Sequence, residues 1–583
     1  MNNDLDPIKV DILWKRLVAA VDEAVTTLLR VSFSTVIRDF HDYACAIFDP
    51  EGRILAQSTH STPGLLGVLP FTILNFLEHP LAADLKPGDV LLTNDPWLAS
   101  GHLPDITVAT PIFRGDKIVA YVLCTVHHIN IGGRAGSLLS RDVYEEGLKI
   151  PIMKLYSEGV PVEPVFSFIR ANVREADKVL GDLRAQVTAN IAAGRKFLEL
   201  LDYAGLETVK PLADQIIGRT EIALREALQS LPDMDSSASV LLNDVPGTSG
   251  PVKLALRIRK TGANIAFDFA GTSDQVPSAV NVVLNMTRSY CVYPLKCLLI
   301  PEIPSNAGLI SVVQVEAPEG SILNAKFPAA NWARSMVAHL LPELIMETMA
   351  DILPDKLIAG SGATPLCTGY FSGRYRDGRS FYVIGTFNGG MGARKGRDGL
   401  SCITYPGSVA NIPVEVIERD TPIVFERKSF APNSAGPGRM IGGHGQKIVL
   451  TVPDDVGEVL KGPIIATIKG SRHGLPITGR GGGSDARPAE MIYNGRAIPF
   501  DCELELNAGD RLEIILAGGG GYGDPRERDN ALIEQDLRDE LLSPQEAEQA
   551  YGFSRVKTQA SDLAVEPRAG GSAANATSSV RRS

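Results

Sequence analysis

The segment Lys117–His127, KIVAYVLCTVH, limits this chain more than any other. It is apolar and rich in β-branched residues, so it reads as a strand. A parallel or central strand of this kind is buried. It runs into two consecutive histidines, His127 and His128, and strand ends are where α/β and mixed folds place ligands. Upstream, a Gly-His-Leu-Pro-Asp turn carries His102 and Asp105 three residues apart, close enough for both side chains to reach one point. Three of the nine histidines therefore fall between Leu91 and Gly136. Imidazole and carboxylate donors set against a strand end suit a divalent metal. The same residues also fit ordinary hydrogen-bonded histidines, and spacing alone does not choose between the two.

A second acidic group lies earlier. Tyr43–Phe48 and Arg53–Gln57 read as a hairpin around the turn Asp49-Pro50-Glu51-Gly52. Just before it stand Asp39, His41 and Asp42. They are either solvated loop charge or a second arm of the same site.

The rest of the chain alternates in character. Helical spacing covers 7–36, with Pro7 after Asp6 as a cap and Ile12, Leu13, Leu17, Val21, Ala24 and Leu28 as the apolar stripe. Residues 70–83 read as a helix. Helical periodicity returns over 168–204, through Val179, Leu183, Val187 and Ile191, and over 207–231, suggesting a helical hairpin or arm. Strands dominate 237–333, a helix covers 335–352, and 355–520 is strand and glycine-rich turn. A charged helix over 530–551 precedes a Ser/Ala/Gly/Arg tail that reads as disordered. With 583 residues the chain exceeds one core. The predicted class is α+β and multi-domain. Its parts are a mixed α/β region with the candidate metal site (1–165), a helical arm (166–235), a mixed α/β region (236–354), a β-rich domain (355–525), a C-terminal helix (526–555) and the tail (556–583).

Composition excludes several roles. A net charge of −11 argues against a nucleic-acid surface. No apolar run reaches the roughly 18 residues of a membrane span. The N-terminus MNNDLDPIKV lacks a basic region followed by an apolar stretch, so no secretory signal is expected. Seven scattered cysteines without a C-x-x-C fit buried thiols in a reducing, cytoplasmic setting. The glycine runs Gly389–Gly392 and Gly518–Gly521 match no phosphate-binding loop and read as tight turns between strands. No G-x-S-x-G elbow is present. The chain by itself thus offers no nucleotide site.

Ten segments in order resemble the hydantoinase B family. They begin with STVIRDFHDYACAIFDPEGRILAQ, PGDVLLTNDPWLASGHLPDITVATPIF and VHHINIGGRAGS. DFAGTSDQVPSAVN, IPSNAGL, NGGMGARKGRDG, NIPVEVIE, NSAGPGRMIGGHG, GGGGYGDP and LLSPQEAEQAYGF follow. The resemblance runs from about residue 6 to 553. The family comprises large subunits of N-methylhydantoinase, ATP-dependent hydantoinases and caprolactamase, the C-terminal half of 5-oxoprolinase, and corresponding subunits of acetone and acetophenone carboxylases. It implies a metal held by His102 and Asp105 of Gly-His-x-x-Asp and by His127 of His-His, with Asp39 at the position of a family acidic residue. His128 is the lesser candidate as a ligand, since successive strand residues face opposite sides. Two histidines and two carboxylates suit Zn²⁺ or Mn²⁺. The chain departs from many relatives in three places. It has Asp39 for Glu, Asn130 for Asp, and Pro63-Gly64-Leu65-Leu66-Gly67 where they carry a histidine.

The resemblance further implies a hetero-oligomer, of α₂β₂ type, with a hydantoinase A-type ATPase subunit that binds ATP and Mg²⁺. The first expectation is ATP-dependent opening of a hydantoin, 5-oxoproline or lactam ring, with the metal activating water and Asp42 or His128 as base or water-orienting group. One alternative is an ATP-dependent ketone carboxylase, which would consume bicarbonate. Another is a scaffold whose metal is structural, closed by four protein ligands.

Overall fold

The computed structural model describes residues 5–554 apart from Ala135, Ser471 and His473. The tail from 556, expected to be disordered, lies outside the described residues. Asp6 caps the first helix, Pro7–Val31, by accepting the N–H groups of Ile8 and Lys9. Its buried stripe includes Val10, Leu13, Leu17, Val21, Ala24 and Leu28, whereas Ile12, expected in that stripe, is exposed. The helix ends five residues before the expected 36. Phe33 and Ser34 give their N–H groups to the Asp182 carboxylate instead of to the preceding turn.

Seven strands follow: β1 (Tyr43–Phe48), β2 (Ile54–Gln57), β3 (Val90–Thr93), β4 (Asp105–Arg114), β5 (Lys117–His127), β6 (Met153–Ser157) and β7 (Val160–Pro161). They form one sheet in the order β2-β1-β5-β4-β3-β6-β7. β5 is central and buried, as its composition required, and antiparallel to both β1 and β4. Alternate residues divide its faces. Val122, Cys124 and Val126 pack under the helices Pro7–Val31 and Ala176–Ala204. Tyr121 and Leu123 pack under the helix Pro63–Glu78. That helix starts seven residues before the expected 70. Pro63 fits its first turn, where no N–H is needed, and Pro70 is carried inside. The helices Ala176–Ala204 and Lys210–Gln229 do not stand off as an arm. They lie on the sheet and on the first helix.

A second sheet, β8 (Met234–Leu242), β9 (Val252–Thr261), β10 (Asn264–Asp268) and β11 (Val313–Glu316), runs in the order β11-β10-β9-β8. A helix not expected from the sequence pattern, Leu284–Leu299, packs on Pro63–Glu78. Gly67 makes this close crossing possible, since a Cβ there would strike the Ser289 backbone and side chain. The expected helix over 335–352 is two short pieces, Ser335–Ala338 and Leu341–Thr348.

The β-rich part contains β12 (Cys367–Arg374), β13 (Ser380–Phe387), β14 (Val424–Phe430), β15 (Gln446–Thr451), β16 (Ile464–Lys469), β17 (Glu490–Tyr493), β18 (Arg496–Ile498), β19 (Cys502–Leu506) and β20 (Arg511–Ile515). They form two sheets, β13-β12-β16-β19 and β14-β15-β20-β17-β18, that share one core. The glycine runs are not simple turns. The N–H of Gly390 bonds Ala517 O, that of Gly443 bonds Met391 O, and that of Gly519 bonds Gly443 O. These buried segments lie backbone against backbone, and a Cβ on Gly442 would overlap the Gly519 carbonyl. Two helices, Asn530–Arg538 and Pro544–Tyr551, replace the single helix expected over 530–551. The whole is α+β.

Candidate metal centre

β4 begins at Asp105, β5 ends at His127, and sheet register sets these two residues opposite each other. The turn before β4 brings His102 back over them, with the Asp105 N–H bonded to the His102 carbonyl. Asp105 Oδ1 lies 2.7 Å from His102 Nε2 and 2.9 Å from His127 Nδ1. The donor atoms of all three residues lie within 4.8 Å of one another, and all three side chains are buried. Among the described residues, this is the group of His, Cys, Asp and Glu side chains gathered closely enough to hold a metal ion.

The protonation pattern tests whether a cation fits. His102 Nδ1 is 2.9 Å from the Trp332 carbonyl oxygen, which can only accept, so Nδ1 carries the proton. Burial, then the Arg334 charge, pushes the His102 pKa down to about 3, so the ring is neutral. Nε2 therefore presents a lone pair to a carboxylate oxygen, and it has no hydrogen-bond partner. Two buried electron-rich atoms at this separation repel unless a positive centre lies between them. A divalent cation meets that requirement, so the donor set fits a metal.

The surroundings hold Asp105 in its charged form. Burial would raise its pKa, but the Arg334 charge and the His127 hydrogen bond outweigh it and hold the carboxyl well below the usual carboxylate range. Arg334 Nη2 donates to Asp105 Oδ2 at 2.8 Å, and its Nε donates to the Ser100 carbonyl at 2.9 Å. Glu146 braces the segment that carries these groups. Its Oε1 accepts the N–H groups of Asn331 and Trp332 at 2.9 and 2.8 Å, and the Trp332 carbonyl in turn orients His102. Such outer contacts decide how well a metal ligand is aimed.

The structure separates the six sequence candidates. His102, Asp105 and His127 converge. Asp42 joins them: its backbone carbonyl accepts the His127 N–H, and its carboxylate lies 3.8 Å from His127 Nδ1. Burial raises the Asp42 pKa. Asp39, by contrast, spends its carboxylate on Arg38 at 2.9 Å. His128 points to the other face of the sheet, where its Nε2 meets Gln186 Oε1 at 3.1 Å. Asn130 accepts the N–H groups of Gly132 and Arg174 and so shapes a loop.

His102, His127 and Asp42 line a cavity of about 80 Å³ together with Tyr290, His339, Tyr370 and Lys469. Leu65, from the segment where many relatives carry a histidine, is in its wall. A second cavity of about 650 Å³ adjoins it. The partition is thin: Asp42, Gly64 and Tyr290 line the small side, and their chain neighbours His41, Pro63 and Ser289 the large side. Arg334, Glu146, His339 and Lys469 were not found from the sequence. They come from distant segments, and no spacing links them to the Gly-His-x-x-Asp turn.

Comparison with known proteins follows the same lines. The Hydantoinase B/oxoprolinase family model matches residues 6–525. The B-type chain of a "Putative D-/L-hydantoinase" of Pseudomonas sp. (strain NS671) is 28% identical, over 96% of this chain and 97% of its own. The beta chain of the caprolactamase of Pseudomonas jessenii is 26% identical, over 94% and 96%. The crystal structure of the ATP-dependent caprolactamase from the same organism superposes with a TM-score of 0.83, covering 94% of this chain and 96% of that one at 25% identity. The nucleotide-free structure of acetone carboxylase shares the fold, with a TM-score of 0.79 at 16% identity over 94% of this chain and 79% of that one. The chain belongs to the hydantoinase B/oxoprolinase family.

Proposed function

We propose that this chain is the metal-bearing subunit of an ATP-dependent cyclic amide hydrolase. It opens a hydantoin, 5-oxoproline or lactam ring together with a hydantoinase A-type ATPase subunit. The observation that carries this reading is the unpartnered Nε2 of His102, aimed at Asp105 Oδ1 in the wall of a cavity. Its support among relatives is the caprolactamase, alike over nearly the full length of both chains.

An unstrained amide carbonyl is a weak electrophile because nitrogen donates into it. Transfer of a phosphoryl group from ATP to the amide oxygen, in the partner, leaves an imidate-like carbon that water can attack. The C–N bond then breaks as the nitrogen takes up a proton, leaving an acyl phosphate, and a second water hydrolyses that to the ring-opened acid and phosphate. His102, Asp105 and His127 hold the divalent cation, zinc or manganese by their donor types, and Asp42 stands beside them. When bound, such a cation supplies Lewis acidity that polarises an oxygen and acidifies water. Arg334 keeps Asp105 ionised and fixed. Asp42 stands where it can take a proton from the attacking water, with its basicity raised by burial. His128, on the far face, serves through Gln186 as support for the end of β5.

The test uses this chain co-purified with its A-type partner. ADP release is followed with hydantoins, 5-oxoproline and caprolactam, and separately with ketones plus bicarbonate. Stimulation by a cyclic amide without bicarbonate, giving the ring-opened acid, is expected. Stimulation by ketone plus bicarbonate alone would replace hydrolysis with carboxylation. His102→Ala should abolish ring opening while leaving assembly with the partner intact.

A further inference from the structure

Lys469 is the last residue of β16, and sheet register pairs it with Thr368 of β12. The β-rich part of the molecule thereby delivers a lysine to the same cavity that His102 and His127 line. Only 5% of the residue is exposed. Its Nζ sits 4.2 Å from the ring centre of Trp332 and 5.3 Å from that of Tyr370. Among the described residues, no carboxylate comes within the 4.0 Å of an ion pair with it. Ring faces attract a cation through their quadrupole but leave it free to engage an anion. The other cation at the cavity, Arg334, is already committed to Asp105 and to the Ser100 carbonyl. A buried ammonium without a carboxylate partner is costly. A protein that places one beside a metal-ligand cluster gains when something negative enters the space between them.

The geometry points to Lys469 as the cation that receives the negatively charged oxygen of the activated substrate, anchoring it in the cavity that His102 and His127 also line. The ligand chemistry is a compact oxyanion, either a phosphoryl group on the amide oxygen or the oxyanion formed when water adds to the carbonyl carbon. Both place charge on the oxygen side of the reacting carbon. The cavity of about 80 Å³ has room for a tetrahedral anion, not for a large ring as well. This assignment deepens the hydrolase reading and rests on it for the identity of the substrate, though not for the anion site.

Charge near Lys469 comes from several elements. Burial and then Arg334 lower its pKa to about 7, while Asp501, Asp42 and Cys367 oppose that shift. An anion site built on this lysine therefore weakens as the amine loses its proton.

The test separates the anion site from the overall reaction. Inorganic sulfate, whose charge is constant between about pH 6 and about pH 9, is titrated calorimetrically into the purified metal-containing chain. Wild type is compared with Lys469→Met and Lys469→Arg, with bound metal measured in each. The wild type should bind sulfate at about pH 6 and lose at least about tenfold in affinity by about pH 9. Lys469→Met should lose at least about tenfold at about pH 6 with unchanged metal content, and Lys469→Arg should keep the affinity and lose the pH dependence. Failure of the wild type to bind sulfate, or equal affinity in the methionine variant, overturns the assignment. With the partner present, Lys469→Met should lower kcat for ring opening more than it raises KM, and Lys469→Arg should restore part of it. If no cyclic amide is turned over by the wild type, the hydrolase reading falls while the sulfate series still decides the anion site.

Discussion

His102 faces Asp105 with a lone pair instead of a proton, and this one atom is what fits the trio to a cation. Asp105→Asn tests the point. The amide nitrogen would donate into His102 Nε2 and satisfy it without any cation. The metal-free variant should therefore unfold at a temperature no lower than metal-free wild type, while its metal affinity falls by at least about 100-fold. Metal content and thermal unfolding measure both. Glu146 supplies a pH signature. Burial raises its pKa from 4.5 to about 8, so the folded state holds the proton that the unfolded state releases. Stability from this group is complete below about 4.5 and is lost as pH rises towards and through about 8. In Glu146→Gln that alkaline loss should disappear, leaving Tm above wild type at about pH 8.5 by about 2 °C or more. At this scale the motif residues were legible: Gly-His-x-x-Asp and His-His named three of the converging groups. The exchange of Asp39 for Asp42 was not legible. It turns on which of two nearby carboxylates meets Arg38, and spacing carries no such information.

The helix Ala176–Ala204 shows what hydropathy periodicity reads and misses. Val179, Leu183 and Val187 are buried as expected, but Ile191 is 57% exposed. The face against the sheet instead carries Asp182, Gln186 and Asn190, all fully buried at helical spacing. Each finds main-chain partners on another segment, Asp182 accepting the N–H groups of Phe33 and Ser34. Gln186 Nε2 donates to the carbonyls of Ile106 and Cys124, and Asn190 Nδ2 to those of Val108 and Val122. Buried polar residues of this kind look like a solvent face in a sequence, because their partners are distant backbone atoms. Gln186 also holds His128 and so the end of β5, the neighbour of His127. Gln186→Leu removes a donor to two carbonyls and the partner of the His128 Nε2. It should cost about 2–4 kcal/mol in urea unfolding. Metal affinity should fall with it, because the end of β5 loses its support. Unchanged metal binding in this variant would show that the strand end is held by the sheet alone.

At the scale of the whole molecule, the boundaries drawn from composition are crossed by the core. One apolar cluster runs from Val36 through Leu180, Phe267, Leu295 and Met336 to Ile384 and Ile417. It therefore joins all four of the regions read as separate between residues 1 and 525. Changes of strand and helix pattern along the chain were legible, but they report local period, not which surfaces meet. The cavity depends on this joining: His102 and His127 come from the first sheet and the turn before β4, Arg334 from the segment after the second sheet, and Lys469 from the β-rich part. Thermal unfolding followed by calorimetry should then show one main transition and not a series of domain melts. A cation bound only by the folded chain adds RT ln(1 + [M]/Kd), about 2.7 kcal/mol at 100 times Kd. Removing the metal with a chelator should move that single transition down by a few degrees as a whole, about the shift expected for a large domain. Two separate transitions, with only the lower one sensitive to chelator, would mean that the β-rich part folds independently. Lys469 would then meet the metal only after docking, and reassembly of the cavity would be a step distinct from folding.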